Sequence, residues 1–87
     1  MLEVLAAINR VPEVLRKHGI HEDDVLSLEA DFDKESPKVS VLLHKIENVQ
    51  KFDGWKVEEE FLSYSSEWRK FGYAECEGIS FQANEPI

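Results

Sequence analysis

His18 and His21, followed by Glu22, Asp23 and Asp24, are the residues whose types best suit site chemistry. Imidazole nitrogens and carboxylates together can hold zinc or another transition metal. Their arrangement argues against a site. Gly19 lies between the histidines and breaks the helix that would align them, and no Cys-x-x-Cys or His-Glu-x-x-His motif completes a ligand set. They are expected to be solvated loop residues, with no metal and no cofactor. Cys76, His44 and several serines could supply a nucleophile and a base. A triad is a matter of geometry, however, and no Gly-x-Ser-x-Gly marks one here. Cys76 reads as a small core or sheet residue, not a reactive thiol. So short a chain has little room for both a core and a substrate pocket. The expectation is a protein that is not an enzyme.

The remaining chemistry is charge and aromaticity. Glu58-Glu59-Glu60 is the densest acidic run. If Trp55, Val57 and Phe61 point inward on a strand, Glu58 and Glu60 point outward, and Glu59 falls on the core side near its edge, hinting at a bulge or a thin core. Glu29 and Asp31 point outward from an earlier strand. With a suitable strand arrangement these four acids share one sheet face, which could imitate a phosphate backbone and occupy a nucleic-acid-binding protein. The plainer alternative is an ordinary solvated face. Trp55, Tyr64, Trp68, Phe71 and Tyr73 are too many aromatics for one face of a small sheet. Either some anchor a partner, as Trp and Tyr commonly do, or a second small core lies on the far side of the sheet. The candidate partner-binding residues are therefore Glu29, Asp31, Glu58, Glu60, Trp68 and Tyr73.

The whole chain bounds these readings. Its 87 residues make one domain, residues 1–87, with a single small core. A hydrophobic content of 43% argues against a wholly disordered chain. The 18 acids and 10 bases leave a net charge of −8, and the bases are scattered, so direct nucleic-acid binding is disfavoured and a basic protein partner is suited. No apolar run approaches the length of a membrane span. The opening residues lack the basic start and long apolar stretch of a signal peptide, and a lone cysteine forms no internal disulfide. The expected location is the cytoplasm.

The elements that would position these residues follow from periodicity. Val4, Ile8, Val11 and Leu15, widened by Leu2 and Leu5, form the apolar stripe of an amphipathic helix. Pro12 predicts a helix over 2–9 and then a kink or restart. Gly19 is the left-handed stop, and Ile20 the apolar contact beyond it. Val25 to Phe32 alternates, with Leu26, Leu28, Ala30 and Phe32 on one face. Asp33 to Pro37 is a polar turn, and Val39, Val41 and Leu43 form the next inward row, completing a hairpin. Leu5, Ile8, Leu15, Leu28, Phe32, Val39 and Val41 are expected in the core. Ile46, Val49 and Phe52 suggest one or two helical turns before the Asp53-Gly54 turn. Residues 55–62 read as a strand, although Val57, Phe61, Tyr64 and Trp68 also recur at helical spacing. A strand over 68–76 turns at Glu77-Gly78 into a short last strand bearing Ile79, Phe81 and Ala83. Residues 84–87 are expected to fray. The sum is an α+β fold, an N-terminal helical segment packed on an antiparallel sheet of four or five strands.

The Val-x-Val-Leu-Leu-His strand, Gly-Trp-x-Val, the stretch from Tyr73 to Glu77 followed by Gly-Ile-x-Phe, and the helix ending Pro-Glu-Val-Leu-Arg-Lys-His-Gly-Ile together resemble small uncharacterised proteins of bacteriophages and prophages. The resemblance covers most of the chain and implies a mobile-element setting inside a bacterial cell, but it assigns no functional residue. The expected function is that of a small acidic cytoplasmic interaction protein. It would bind, and could inhibit, a basic host or nucleic-acid-handling protein, as an anti-CRISPR or anti-restriction protein does. The alternative is a structural homodimer that joins sheet edges or aromatic faces.

Overall fold

The computed structural model describes residues 2–32 and 38–87. Helix α1 (Leu2–Lys17) leads through a 3-10 turn (Glu22–Asp24) into strands β1 (Val25–Asp31) and β2 (Lys38–Leu43). A short helix α2 (Ile46–Val49) follows, and then β3 (Lys56–Leu62), β4 (Glu67–Cys76) and β5 (Ile79–Pro86). The fold is α+β, with five strands in the order β1-β2-β5-β4-β3. Three pairings are antiparallel as expected, but β2 and β5 run parallel, so the sheet is mixed. The hairpin at Glu77-Gly78 turns β5 back alongside β4, and β5 then lies between β4 and β2. The turn expected at 33–37 lies outside the described residues.

Helix α1 buries Val4, Ala7, Val11, Val14 and Leu15. The stripe is rotated from the expected one: Ala7 and Val14 take the inner positions, Ile8 is half-buried, and Leu5 stays 46% exposed. The helix runs through Pro12 without interruption, and Pro12 sits on its exposed side. It stops where the glycine signal says. Gly19 has φ +69°, its N–H donates to Arg16 O at 3.1 Å, and the Ile20 N–H donates to Leu15 O at 2.9 Å. This paired return closes the last carbonyls and buries Ile20. His18 then packs against the core, its ring 4.3 Å from that of Phe52 and its Nδ1 donating to Val14 O at 2.8 Å.

The β1–β2 hairpin has the expected face assignment from Ser27 onward. Leu28 opposes Val41 and Ala30 opposes Val39, while Ser27, Glu29 and Asp31 alternate to the other face. Leu26 is displaced by a bulge between Val25 and Ser27. The burial expected of Leu28 and Phe32 does not follow, for they remain 41% and 51% exposed. The reason is position: β1 is an edge strand and has a neighbour on one side only.

Residues 56–62 form a strand, not a helix. Asn84 to Pro86 are not frayed, for they continue β5 against β4 with Pro86 opposite Arg69. The core lies between the helices and one sheet face. In it Val39, Val41 and Leu43 of β2 sit beside Ile79, Phe81 and Ala83 of β5, and the Phe52 ring stacks on Phe81 at 4.2 Å. Helix α2 rests on β5 and β4. Gly72 is its seat, because a Cβ there would lie 3.4 Å from Ile46 Cγ2 and 3.5 Å from Val49 Cβ.

These placements set the stability effects measurable by urea unfolding. Val41→Ala should cost about 1–3 kcal/mol, and Leu5→Ala less than about 1 kcal/mol. Gly72→Leu must displace Ile46 and Val49 and should cost about 1–3 kcal/mol. Equal costs for Val41→Ala and Leu5→Ala would contradict the observed helix rotation.

Candidate functional site

Strand parity divides the sheet cleanly. The inward set from β2, β5 and β4 (Val39, Val41, Leu43, Ile79, Phe81, Ala83 and Ala74) is buried under the helices. The intervening residues make the outer face, over which no described helix lies. Across it the pairings run Glu29–Ser40–Ser80–Glu75 and, one rung on, Leu42–Gln82–Tyr73–Lys56. The next rung holds Asn84–Phe71–Glu58, and the last Pro86–Arg69–Glu60.

Glu29, Asp31, Glu58, Glu60 and Tyr73 therefore share this face. They are not one cluster. Glu29 and Asp31 belong to β1 and Glu58 and Glu60 to β3, at opposite edges of the sheet. Four strand intervals of about 4.8 Å put the two edges about 19 Å apart, and the pairs are offset along the strands as well, with Glu29 two rungs from Glu58. Trp68 is not among them. It lies on the helix side, opposite Phe61 with ring centroids 5.5 Å apart, and is 56% exposed. Glu59 shares that side, opposite Lys70, and remains exposed; β3 carries no bulge there, so the thin-core reading is the right one.

The denser half of the outer face is the β3–β4 side. Glu58 stands opposite Phe71 and diagonal to Tyr73, and both rings are half-buried among their strand neighbours. No second core forms over them among the described residues. Phe71 is the member that reading the sequence missed. Its signal was the alternation with Gly72 and Ala74, whose small side chains suit the helix-covered face and so send Phe71 and Tyr73 outward. Arg69, opposite Glu60, is tied down: its Nη2 and Nε donate to Asn84 Oδ1 at 2.8 and 3.2 Å, and its Nη1 lies 3.3 Å from Glu67 Oε1. Burial pushes the Tyr73 phenol above its ordinary range, and the negative charges of Glu60 and Glu58 push it further. At neutral pH this ring is a neutral hydroxyl beside two carboxylates. On the β1 side, Glu29, Ser27, Ser40, Leu42, Gln82 and Asn84 line a shallow cavity of about 270 Å³.

The other chemical candidates take local positions. His21 caps the 3-10 turn: its Nδ1 accepts from the Asp23 N–H at 3.1 Å, and its own N–H donates to Asp24 Oδ2 at 3.1 Å. Cys76 faces inward opposite Ile79, and burial, aided by Glu77, raises its thiol pKa, which disfavours the thiolate. His44 is exposed, and its backbone N–H donates to Asp24 O at 2.9 Å. No protein-family model, no curated protein and no solved structure matches the chain.

The Tyr73 environment has a sign. A phenol whose folded pKa is raised leaves stability intact below the unfolded value near 10, and stability falls as pH climbs from there through the folded value. Glu58→Gln with Glu60→Gln should bring the Tyr73 pKa down but leave it raised, because burial is the larger cause. Ultraviolet absorbance titration of wild type and the double variant checks this. A titration unchanged by the two substitutions would place Tyr73 away from both carboxylates.

Proposed function

We propose that this chain is a small acidic interaction protein that binds a basic surface of another protein through its open sheet face. Glu58 and Glu60 make the charged contacts, with Phe71, opposite Glu58, and Tyr73, one rung further from Glu60, as the apolar anchor beside them, and Glu29 with Asp31 offers a second acidic contact across the sheet. The observation that carries this reading is the adjacency, on a face that no described helix covers, of two carboxylates and two half-buried aromatic rings. In the phage or prophage setting that the sequence resemblance implies, the partner is a host protein that handles nucleic acid in the bacterial cytoplasm. The acidic face would occupy its phosphate-binding surface and inhibit it in the manner of an anti-CRISPR or anti-restriction protein. Trp68, on the other side, takes no part in this contact. The reading invokes no catalytic step, metal or cofactor.

Charge supplies the encounter, and aromatic burial supplies the lifetime. Steering acts over a Debye length of about 8 Å at physiological ionic strength and fades in higher salt. The anchor governs dissociation. Proteins captured from a bacterial lysate on the immobilised chain at low salt provide the partner for kinetics. Glu58→Lys with Glu60→Lys should slow association about tenfold or more at low salt, with a smaller effect at high salt. Tyr73→Ala should mainly speed dissociation, at a cost of about 2 kcal/mol in affinity. Binding indifferent to both salt and the double reversal would rule out the acidic-face reading.

A further inference from the structure

The sheet has two edges, β1 and β3. Among the described residues no further strand lies beside either, and the backbone N–H and C=O groups along such an edge are those that another strand can use. The two edges differ in whether a copy of themselves is an acceptable partner. In an antiparallel pair related by a two-fold axis, the residues facing the new neighbour are the same alternate set in both copies, so the axis must fall on a residue. On β3 the registers that pair most of the strand centre on Glu58, Glu59 or Glu60. Each sets a glutamate directly against itself, and like charges directly opposite are destabilising. That edge rejects its own copy.

On β1 the register centred on Leu28 has no such conflict. It sets Leu28 against Leu28, Ser27 against Glu29, Leu26 against Ala30 and Val25 against Asp31. A slip toward Glu29 opposes Glu29 to itself. A slip toward Ser27 runs the ladder into the 3-10 turn, where extended pairing ends. The same edge carries unburied apolar surface, with Leu26 55%, Leu28 41% and Phe32 51% exposed. The bulge at Leu26 bends the start of the strand and limits the ladder to a few rungs.

We propose that β1 pairs antiparallel with β1 of a second copy of this chain, centred on Leu28, to close a two-fold dimer through one edge of the sheet. Because β3 rejects a copy of itself, the assembly closes at two subunits and does not propagate. Glu29 of one copy lies diagonal to Glu29 of the other, at about 7–8 Å on the outer face. That repulsion weakens the dimer at low salt and is screened at high salt, the opposite sign to capture of a basic partner. The inference stands apart from the partner-binding reading, which centres on the other edge.

Sedimentation velocity of the full chain across a concentration series tests it. The expected result is a rise in mass that levels at twice that of the single chain, with tighter association in higher salt. Leu28→Lys, which opposes lysine to lysine, should weaken association at least about tenfold. Ser27→Lys, which creates two Lys–Glu pairs, should tighten it about two- to tenfold at low salt. Trp68→Ser should leave it unchanged. Circular dichroism confirms that each variant is folded, and if Leu28→Lys is not, the gain from Ser27→Lys decides the question. A single-chain mass at every concentration, open-ended growth, a dimer weakened by Ser27→Lys or a dimer lost with Trp68→Ser would each overturn the proposal.

Discussion

The parallel pairing of β2 with β5 holds the molecule together. The β1–β2 hairpin and the β3–β4–β5 meander meet in the sheet only at this seam. Along it Val39 sits beside Ile79, Val41 beside Phe81 and Leu43 beside Ala83, all of them buried. Phe52 stacks on Phe81, and the His18 ring packs tilted against Phe52, so the end of α1 is fixed to the same column. The strands of the seam are far apart in the chain. Their closure costs loop entropy before it gains contacts, and the continuity of the sheet's outer face depends on it.

Two helices on one side of five strands cannot cover the sheet evenly. Helix α1 lies over β1 and β2, and α2 over β5, β4 and the end of β2. Beyond them the β3–β4 hairpin projects with Phe61 and Trp68 exposed, and β1 is left with half-covered leucines. The opposite face carries no described helix, and its acids lie toward both edges while its centre is polar. A chain of net charge −8 gains solubility from such a surface. The proposed partner contact needs one more ingredient than charge, and Phe71 and Tyr73 supply it.

Much of this was legible in the sequence wherever a local rule acts alone. Gly19 stops α1 because only a left-handed residue closes that turn, and the alternation of Ser27, Glu29 and Asp31 set their face. Glu58 and Glu60 were likewise placed outward with Glu59 inward by period two. Long-range facts were not legible. Nothing local says that β5 enters between β2 and β4, so the parallel pair was missed. With strand order unknown, β1 could not be recognised as an edge, and Leu28 and Phe32 were assigned to the core. Trp68 is a different lesson. It is five positions from Tyr73, an odd spacing within one strand, so the two could not share a face, and of these two candidate residues only Tyr73 lies with the acids.

The sheet face that no described helix covers, at its β3–β4 half, is the surface proposed to meet a basic partner. Amide chemical-shift mapping of the full chain with a lysine-rich peptide as probe tests it directly. The account predicts the largest perturbations at Glu58, Glu60, Phe71 and Tyr73, fading as salt is raised and leaving α1 undisturbed. Perturbations confined to α1 or to the Phe61–Trp68 end of the hairpin, or of equal size at high salt, would contradict it.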